Sequence, residues 1–268
     1  MDNKRKAILV VSFGTSYSET RKKTIEQIEK EIGNAFPEYA LYRAWTSGMI
    51  RKKLLKRDGI FIADVRGAME QMKADGITDL IVQPTHVLNG IENDLMMETV
   101  LSYENQFAHI AVGRPLLSSQ EDHDRVVEAV AGELCPASSE ALVLMGHGTE
   151  HFANSVYAAL DYQFKDTGYR NIFMGTVEAY PTFESLLRQL KELKPERVIL
   201  APFMIVAGDH ATNDLSGEEP DSWKSQFEEA GFSVRCILKG LGEYPAIRNI
   251  FLDHVSAAVK DLEERTKM

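Results

Sequence analysis

The 268-residue sequence has only two cysteines, Cys135 and Cys236, and neither lies in a paired-cysteine motif. A disulfide framework or a zinc–thiolate site is therefore not expected, and a reducing cytoplasm is the expected location. No apolar run approaches the roughly 20 residues that a membrane span needs, and the run at residues 7–11 is too short for a signal peptide. We therefore expect a soluble protein without a membrane partner.

Basic residues are also scarce, since 30 lysines and arginines stand against 40 acidic residues and give a net charge of −10. A general nucleic-acid binder would present a basic face, so no nucleic-acid partner is expected. The chain also lacks the Gly-x-Gly-x-x-Gly and Walker motifs, and we predict no organic cofactor. The hydrophobic share of 44 % is typical of a globular protein.

What the sequence does contain is a regular alternation of strand-like apolar runs and helical patterns. The alternation predicts an α/β fold with parallel strands and right-handed connections. Among its elements we expect one helix at residues 17–34, another at 61–75, and a loop at 204–217. The predicted architecture is two similar lobes, each with a parallel sheet flanked by helices, with a cleft between them.

The two halves also resemble each other in sequence, which suggests an ancient duplication. Residues 10–15 align with 144–149, and residues 80–84 align with 198–202. In this alignment Phe13 takes the place of His147, and Glu92 takes the place of His210. The first half has no counterpart of Glu178 near Thr46, so we expect the chemistry to lie in the second half.

Three residues carry that expectation, because each follows a predicted strand of the second half. His147 follows residues 141–145, Glu178 follows 172–177, and His210 follows 198–203. Strand ends of one parallel sheet meet at one edge, so the three side chains can converge. Two imidazoles and one carboxylate suit a transition metal such as Co, Ni, Fe or Zn, and three protein ligands leave positions open for a substrate.

Each residue also has a simpler interpretation. A histidine after a strand is commonly a hydrogen-bonded loop residue, and Glu178 is suited to a helix N-terminus. His151, which follows His147 closely, is expected to be a solvated residue of a helical first turn. The remaining histidines of the central and last regions are expected to be structural: His109, His123 and His254.

Two further segments suit an anionic or flat ligand. The glycine-bearing turns at residues 12–16 and 146–150 offer backbone N–H groups and small side chains for a close approach. The helix at 49–57 contains five basic residues, including Arg51. Both a solvated helix face and a basic rim for a polycarboxylate are compatible with that pattern.

The sequence resembles the class II tetrapyrrole chelatases, and among them the anaerobic cobalt chelatases of cobalamin biosynthesis, the sirohydrochlorin cobaltochelatases. The resemblance covers nearly the whole chain. In the first half it rests on Val-Ser-Phe-Gly-Thr-Ser-Tyr (11–17), Thr-Ser-Gly-Met-Ile (46–50), Arg-Asp-Gly-Ile (57–60) and Pro-Leu-Leu-Ser-Ser (115–119). In the second half it rests on Met-Gly-His-Gly (145–148), Val-Glu-Ala-Tyr-Pro (177–181), Val-Ala-Gly-Asp-His-Ala-x-Asn-Asp (206–214), Asp-Ser-Trp-Lys (221–224) and Gly-Leu-Gly-Glu-Tyr-Pro-Ala-Ile-Arg (240–248).

The resemblance implies an enzyme that inserts Co(II), as substrate metal, into sirohydrochlorin or its reduced precursor precorrin-2 without ATP. It implies that His147, Glu178 and His210 bind the metal. Because insertion removes two pyrrole protons, His147 is the expected leading base, with Glu178 relaying or accepting the second proton. It also implies that the final helix belongs with the first lobe. The expected domains are therefore residues 1–118 with 247–268, and residues 119–246.

The resemblance gives the first lobe a share in binding the tetrapyrrole. Phe13 is expected to stack on the macrocycle. The basic helix at 49–57 is expected to bind carboxylates, since the substrate carries many of them. The expected substrate-binding residues all lie in this lobe: Phe13, Gly14, Thr15, Ser47, Arg51 and His86. The sequence leaves open whether the chain forms a homo-oligomer.

Two other functions share the same residues. A carrier protein would hold a metal or a tetrapyrrole without inserting one into the other. A non-haem iron oxygenase also uses two histidines and a carboxylate, although the alternating α/β pattern argues against it.

Overall fold

The computed structural model describes residues 5–267, which form two compact units. The first unit extends to Ser118 and resumes at Arg248, and the second is Ser119–Ile247. These bounds differ by one residue from the predicted division. Among the described residues, no helix is both long and apolar enough to cross a membrane.

The first unit is built on a four-stranded parallel sheet with the strand order β2-β1-β3-β4. Its two central strands consist almost entirely of buried residues, which explains their nearly unbroken apolar sequences. The elements in chain order are β1 (Lys6–Ser12), α1 (Ser18–Lys23), α2 (Ile25–Ala35), β2 (Ala40–Trp45), α3 (Gly48–Asp58), α4 (Val65–Ala74), β3 (Asp79–Pro84), α5 (Ile91–Leu101) and β4 (His109–Val112).

The second unit repeats this topology, with a parallel sheet in the order β6-β5-β7-β8. Its elements are α6 (Gln120–Leu134), β5 (Glu140–Gly146), α7 (Ser155–Asp166), β6 (Ile172–Thr176), α8 (Phe183–Leu193), β7 (Arg197–Pro202), α9 (Trp223–Glu229) and β8 (Val234–Cys236), and α10 (Pro245–Arg265) follows. The predicted α/β class, with two parallel sheets flanked by helices, is confirmed. The cleft between the lobes stays a prediction.

The core of the second unit shows why these sequences form sheets with helices on their faces. Alternate residues of β5 and β7 point to one face and pack against the apolar sides of α8 and α9. Each large apolar side chain buried there contributes roughly 1.5–3 kcal/mol. The buried residues of this cluster are Ala141, Val143, Met145, Phe173, Leu186, Leu190, Val198, Leu200, Leu215, Trp223 and Phe227.

Three predicted elements differ from those observed. The helix expected at 17–34 is interrupted at Thr24, whose φ of −117° and ψ of −86° are not helical and whose hydroxyl donates to the Thr20 carbonyl, 2.6 Å away. The helix expected from residue 61 begins only at Val65, because the Asp64 carboxylate accepts a hydrogen bond from the Gly67 N–H, 2.8 Å away, and caps it there. The loop expected at 204–217 contains a short π-helix, Ala211–Leu215.

Candidate metal centre

His147 lies directly beyond the last residue of β5 and is only partly buried. Its Nδ1 lies 2.9 Å from the carbonyl oxygen of Gly148. A carbonyl only accepts, so Nδ1 carries the proton and the lone pair is on Nε2. Gly148 has a φ of +87°, a conformation that glycine adopts without strain. The turn therefore presents His147 as a ligand through Nε2.

The ring of Tyr157, in α7, packs against this turn at Gly146. The sequence analysis did not identify this residue. A Cβ at Gly146 would lie 2.4 Å from the Tyr157 ring, so only glycine permits this packing. Burial raises the pKa of Tyr157 to about 12. Hydrogen bonds from the backbone of Gly148 and His147 have a smaller, opposite effect on this pKa. No motif distinguishes Tyr157 from an ordinary apolar helix position, so its role could not be predicted from the sequence.

Glu178 is fixed next to His147 by backbone contacts. The Glu178 N–H donates to the His147 carbonyl at 3.0 Å, which extends the β5–β6 pairing beyond both strands. A Cβ at Gly148 would lie 2.9 Å from the Ala179 nitrogen, so the two turns also pack closely. The side chain of Asn154 joins them, since it accepts from the Thr149 N–H and donates to the Tyr180 carbonyl, at 3.1 and 2.7 Å.

His210 comes from a third loop, eight residues beyond the end of β7 and directly before the π-helix. Its Nδ1 lies 2.7 Å from a carboxylate oxygen of Asp214. The carboxylate accepts, so the Nδ1–H donates and the Nε2 lone pair is again available to a metal.

The ligand atoms of His147, Glu178 and His210 all lie within 4.8 Å of one another. The two imidazole rings are nearly perpendicular, with centroids 4.6 Å apart, and His147 Nδ1 lies 3.6 Å from Glu178 Oε2. Ligand atoms of one shared ion lie about 3–3.5 Å apart, because each sits roughly 2.1 Å from it. The three side chains therefore have to move closer together to enclose an ion.

This cluster is the only group of three or more potential ligand residues found among residues 5–267. All three side chains are accessible, since 42, 54 and 32 % of their surfaces are exposed for His147, Glu178 and His210. Accessibility suits a metal that arrives from solution and leaves again, and three ligands leave coordination positions for another molecule.

The first unit has the same loop connections without the metal ligands. The Ser47 N–H donates to the Phe13 carbonyl at 3.1 Å, just as the Glu178 N–H donates to His147. Phe13 therefore corresponds to His147, as the alignment predicted, and Ser47 corresponds to Glu178, a match that the alignment did not find. Phe13 is 44 % exposed.

The other residues expected to bind substrate have local structural partners in the first unit. Gly14 has a φ of +108° and leaves room for the Trp45 ring, 2.6 Å from where a Cβ would lie. The Thr15 hydroxyl accepts a hydrogen bond from the Tyr17 N–H. The Ser47 hydroxyl accepts from the Ile50 N–H and caps α3, and Arg51 forms an ion pair with Asp64. These contacts position the loops and leave the binding roles as predictions.

His86 differs from these residues because its two ring nitrogens are buried. It follows β3 and is 9 % exposed. Within the described part of the chain, neither ring nitrogen makes a hydrogen bond. Burial lowers the pKa of His86 to about 4, against a smaller opposing effect of the Asn93 side chain. The ring is therefore neutral at physiological pH.

The remaining histidines lie outside the metal cluster and have other contacts. His151 Nδ1 accepts from the Ala153 N–H at 3.2 Å and caps a 3-10 turn, and its ring packs on the exposed Phe152. His109 pairs with the buried Asp79, and His254 donates to the Arg114 carbonyl. For His123, burial lowers the pKa.

The basic helix α3 is partly neutralised by neighbouring carboxylates. Arg51 pairs with Asp64, and Arg57 pairs with Asp58 and donates to the Ser16 carbonyl. Its three lysines are exposed: Lys52, Lys53 and Lys56.

Comparison with known proteins connects this geometry to a family. Residues 6–260 match the family described as cobalt chelatase (CbiK). The sirohydrochlorin cobaltochelatase of Salmonella typhimurium is 39 % identical over 256 residues, which cover 95 % of this chain and 97 % of that protein. The sirohydrochlorin cobaltochelatase CbiKC of Nitratidesulfovibrio vulgaris is 32 % identical, over 97 % of this chain and 93 % of its own length.

Solved structures show the same fold at much lower sequence identity. The sirohydrochlorin chelatase SirB from Bacillus subtilis subspecies spizizenii, in complex with cobalt, superposes with a TM-score of 0.65 at 13 % identity, covering 97 % of each chain. SirB from Bacillus subtilis with Fe3+ gives a TM-score of 0.66 at 12 % identity, over 97 % of this chain and 98 % of that one.

Proposed function

Because the chain belongs to the cobalt chelatase family and is thus a metal chelatase, we propose that it inserts Co(II) into sirohydrochlorin at His147, Glu178 and His210. The observation that carries the site assignment is the convergence of these three ligands within 4.8 Å at one sheet edge. Membership of a metal-inserting family contradicts the iron-oxygenase alternative. Precorrin-2, the reduced precursor, is the alternative substrate for the same chemistry.

The reaction exchanges two pyrrole protons for one Co(II) ion, so the site has to accept two protons and release the metal. The metal enters by binding to the two imidazoles and the carboxylate, and its open positions pass to pyrrole nitrogens. His147 acts as the leading base through Nε2 once the metal has passed to the ring, and Glu178, whose Oε2 lies 3.6 Å from His147 Nδ1, takes or relays the second proton. No external energy source is needed, because metal–nitrogen bonds replace the bonds to the departing protons.

The first unit supplies groups that suit a flat polycarboxylate. Phe13 offers an exposed ring for stacking, and the lysines of α3 offer positive charge to carboxylates. Gly14, Thr15 and Ser47 are buried and would act by shaping the loops, whereas Arg51 is partly exposed. His86 contributes one neutral donor and one acceptor, since its buried ring nitrogens have no protein partner among residues 5–267.

We further propose that the protein acts in the cytoplasm and uses no organic cofactor. Its two cysteines are free, which fits a reducing compartment. The reaction involves only metal, tetrapyrrole and protons, so it needs no redox or group-transfer cofactor.

A test separates this enzyme from a carrier. Catalytic amounts of protein are incubated with excess sirohydrochlorin and Co(II), and the absorbance of the metallated product is followed. Many turnovers per chain are expected. Product limited to one equivalent per chain, or a rate equal to the spontaneous rate, would mean that the protein binds these molecules without inserting the metal.

Variants of the cluster test the residue assignment. His147→Ala and His210→Ala are each expected to lose most activity and to keep native circular dichroism, because both side chains lie on partly exposed loops. His151→Ala is the matched control, since His151 lies in the same loop outside the cluster and should keep most of its activity. Equal losses in all three variants would contradict the assignment.

A further inference from the structure

Asp214 lies on the π-helix, one turn beyond His210, and its carboxylate accepts a hydrogen bond from His210 Nδ1 at 2.7 Å. Residues four apart in such a helical turn lie on the same side, so Asp214 can reach His210. Asp214 is partly buried and lines a cavity of about 420 Å³ together with Glu178, so it is close to the metal cluster while its carboxylate faces the histidine.

This contact determines which nitrogen of His210 can bind a metal. An unpartnered imidazole exchanges its proton between the two nitrogens and rotates about its side-chain bonds. The carboxylate holds the proton on Nδ1, leaves the lone pair on Nε2 and fixes the ring orientation. A charged acceptor also makes the imidazole a stronger donor to a metal.

The two histidines of the cluster are held in different ways. The Nδ1–H of His147 donates to the neutral carbonyl of Gly148, which belongs to its own turn. The Nδ1–H of His210 donates to an ionised side chain. A backbone carbonyl cannot be removed by substitution, but Asp214 can, which makes the contribution of the carboxylate measurable.

We propose that Asp214 is a positioning residue that keeps His210 in the tautomer and orientation that bind the incoming metal ion. The proposal rests on the proposed function only in taking His210 as a metal ligand. Removal of an outer hydrogen-bond partner of a metal-binding histidine typically weakens metal affinity about 10- to 100-fold. The effect belongs to metal capture, so the KM for Co(II) should rise more than kcat falls.

The experiment measures Co(II) binding to the protein alone by competition with a chromophoric chelator. Asp214→Ala is expected to raise the dissociation constant about 10- to 100-fold. Asp214→Asn keeps an oxygen that accepts from Nδ1 and should recover a large part of the affinity. Asp221→Ala is the control for charge, because Asp221 lines the same cavity and its removal should leave the affinity nearly unchanged.

Insertion kinetics complete the test. At saturating sirohydrochlorin, Asp214→Ala should raise the KM for Co(II) in parallel with the dissociation constant, while kcat changes by no more than about threefold. Unchanged binding in Asp214→Ala, or equal weakening in Asp221→Ala, overturns the proposal. If the wild type binds Co(II) but inserts none, the proposed function fails, and the binding data still decide the role of Asp214.

Discussion

We expect His86 to make the free energy of unfolding of the first unit depend on pH. Lowering the pH from 7 to 5 should reveal this dependence. The ring is buried, and burial lowers its pKa from the ordinary value of 6.5 to about 4. Between these two values the unfolded chain binds a proton that the folded chain does not. Stability therefore rises with pH in this range and falls as the solution is acidified.

The magnitude follows from the two pKa values. At pH 7 both states are mainly neutral at this residue, and almost nothing is lost. At pH 5 the unfolded histidine is nearly fully protonated while the folded one is not, which lowers the free energy of unfolding by about 2 kcal/mol. The full difference, reached below pH 4, is about 3 kcal/mol. Either value is a large part of the stability of a typical domain.

The assay uses the two tryptophans of the chain, Trp45 in the first unit and Trp223 in the second. In a Trp223→Phe background, fluorescence reports the unfolding of the first unit alone. Urea unfolding is measured at pH 7, 6 and 5 for this background and for the same protein with His86→Gln. Other titrating groups contribute equally to both, so the difference between them isolates His86.

The background protein is expected to lose about 2 kcal/mol more than the His86→Gln protein between pH 7 and pH 5. If the two proteins lose the same free energy to within about 0.5 kcal/mol, His86 titrates normally and is not held neutral by burial. The same variant should also raise the KM for sirohydrochlorin if His86 contacts the substrate.

The remaining predictions concern the support of the His147 turn. Gly148→Ala should reduce Co(II) insertion about tenfold or more, because the new methyl group would clash with the backbone next to Glu178. Gly168→Ala is the control. Gly168 has a φ of +100° but no atom within 4 Å of the new Cβ, so this variant carries the same backbone strain of roughly 1–2 kcal/mol and should insert Co(II) normally. Tyr157→Phe should lower the free energy of unfolding, followed by Trp223 fluorescence, by about 1–3 kcal/mol, because two backbone N–H groups lose their acceptor. Tyr244→Phe is its control, since that hydroxyl makes no hydrogen bond within the described residues and should cost little, and equal losses would refute this account.

The fold follows closely from the local pattern of the sequence. The strands of each sheet centre are continuous apolar runs, since both of their faces are buried, and helices of regular period separate them. Such patterns depend on neighbouring residues only, which explains why the α/β class and the two parallel sheets were predictable, whereas the order of the strands was not. Local exceptions, such as the non-helical backbone at Thr24, are not revealed by periodicity.

The candidate metal ligands were predictable for a related reason. In a parallel sheet, the position of a residue beyond its strand decides which edge it occupies, so His147, Glu178 and His210 could be grouped from their order alone. The distances between them, and the match between Ser47 and Glu178 across the repeat, required the backbone pairing of the loops.

By itself, the sequence determined the two-fold repeated α/β topology and the three residues that it brings to one edge, because both depend on short-range pattern and chain order. Only the tertiary structure decided how those residues are held. The Tyr157 hydroxyl under the His147 turn and the buried ring of His86 are set by packing between segments, and the contact of the Asp214 carboxylate with His210, four residues away, depends on the helical turn that the chain adopts there. Such packing fixes tautomers, ring orientations and pKa values, which no motif contains.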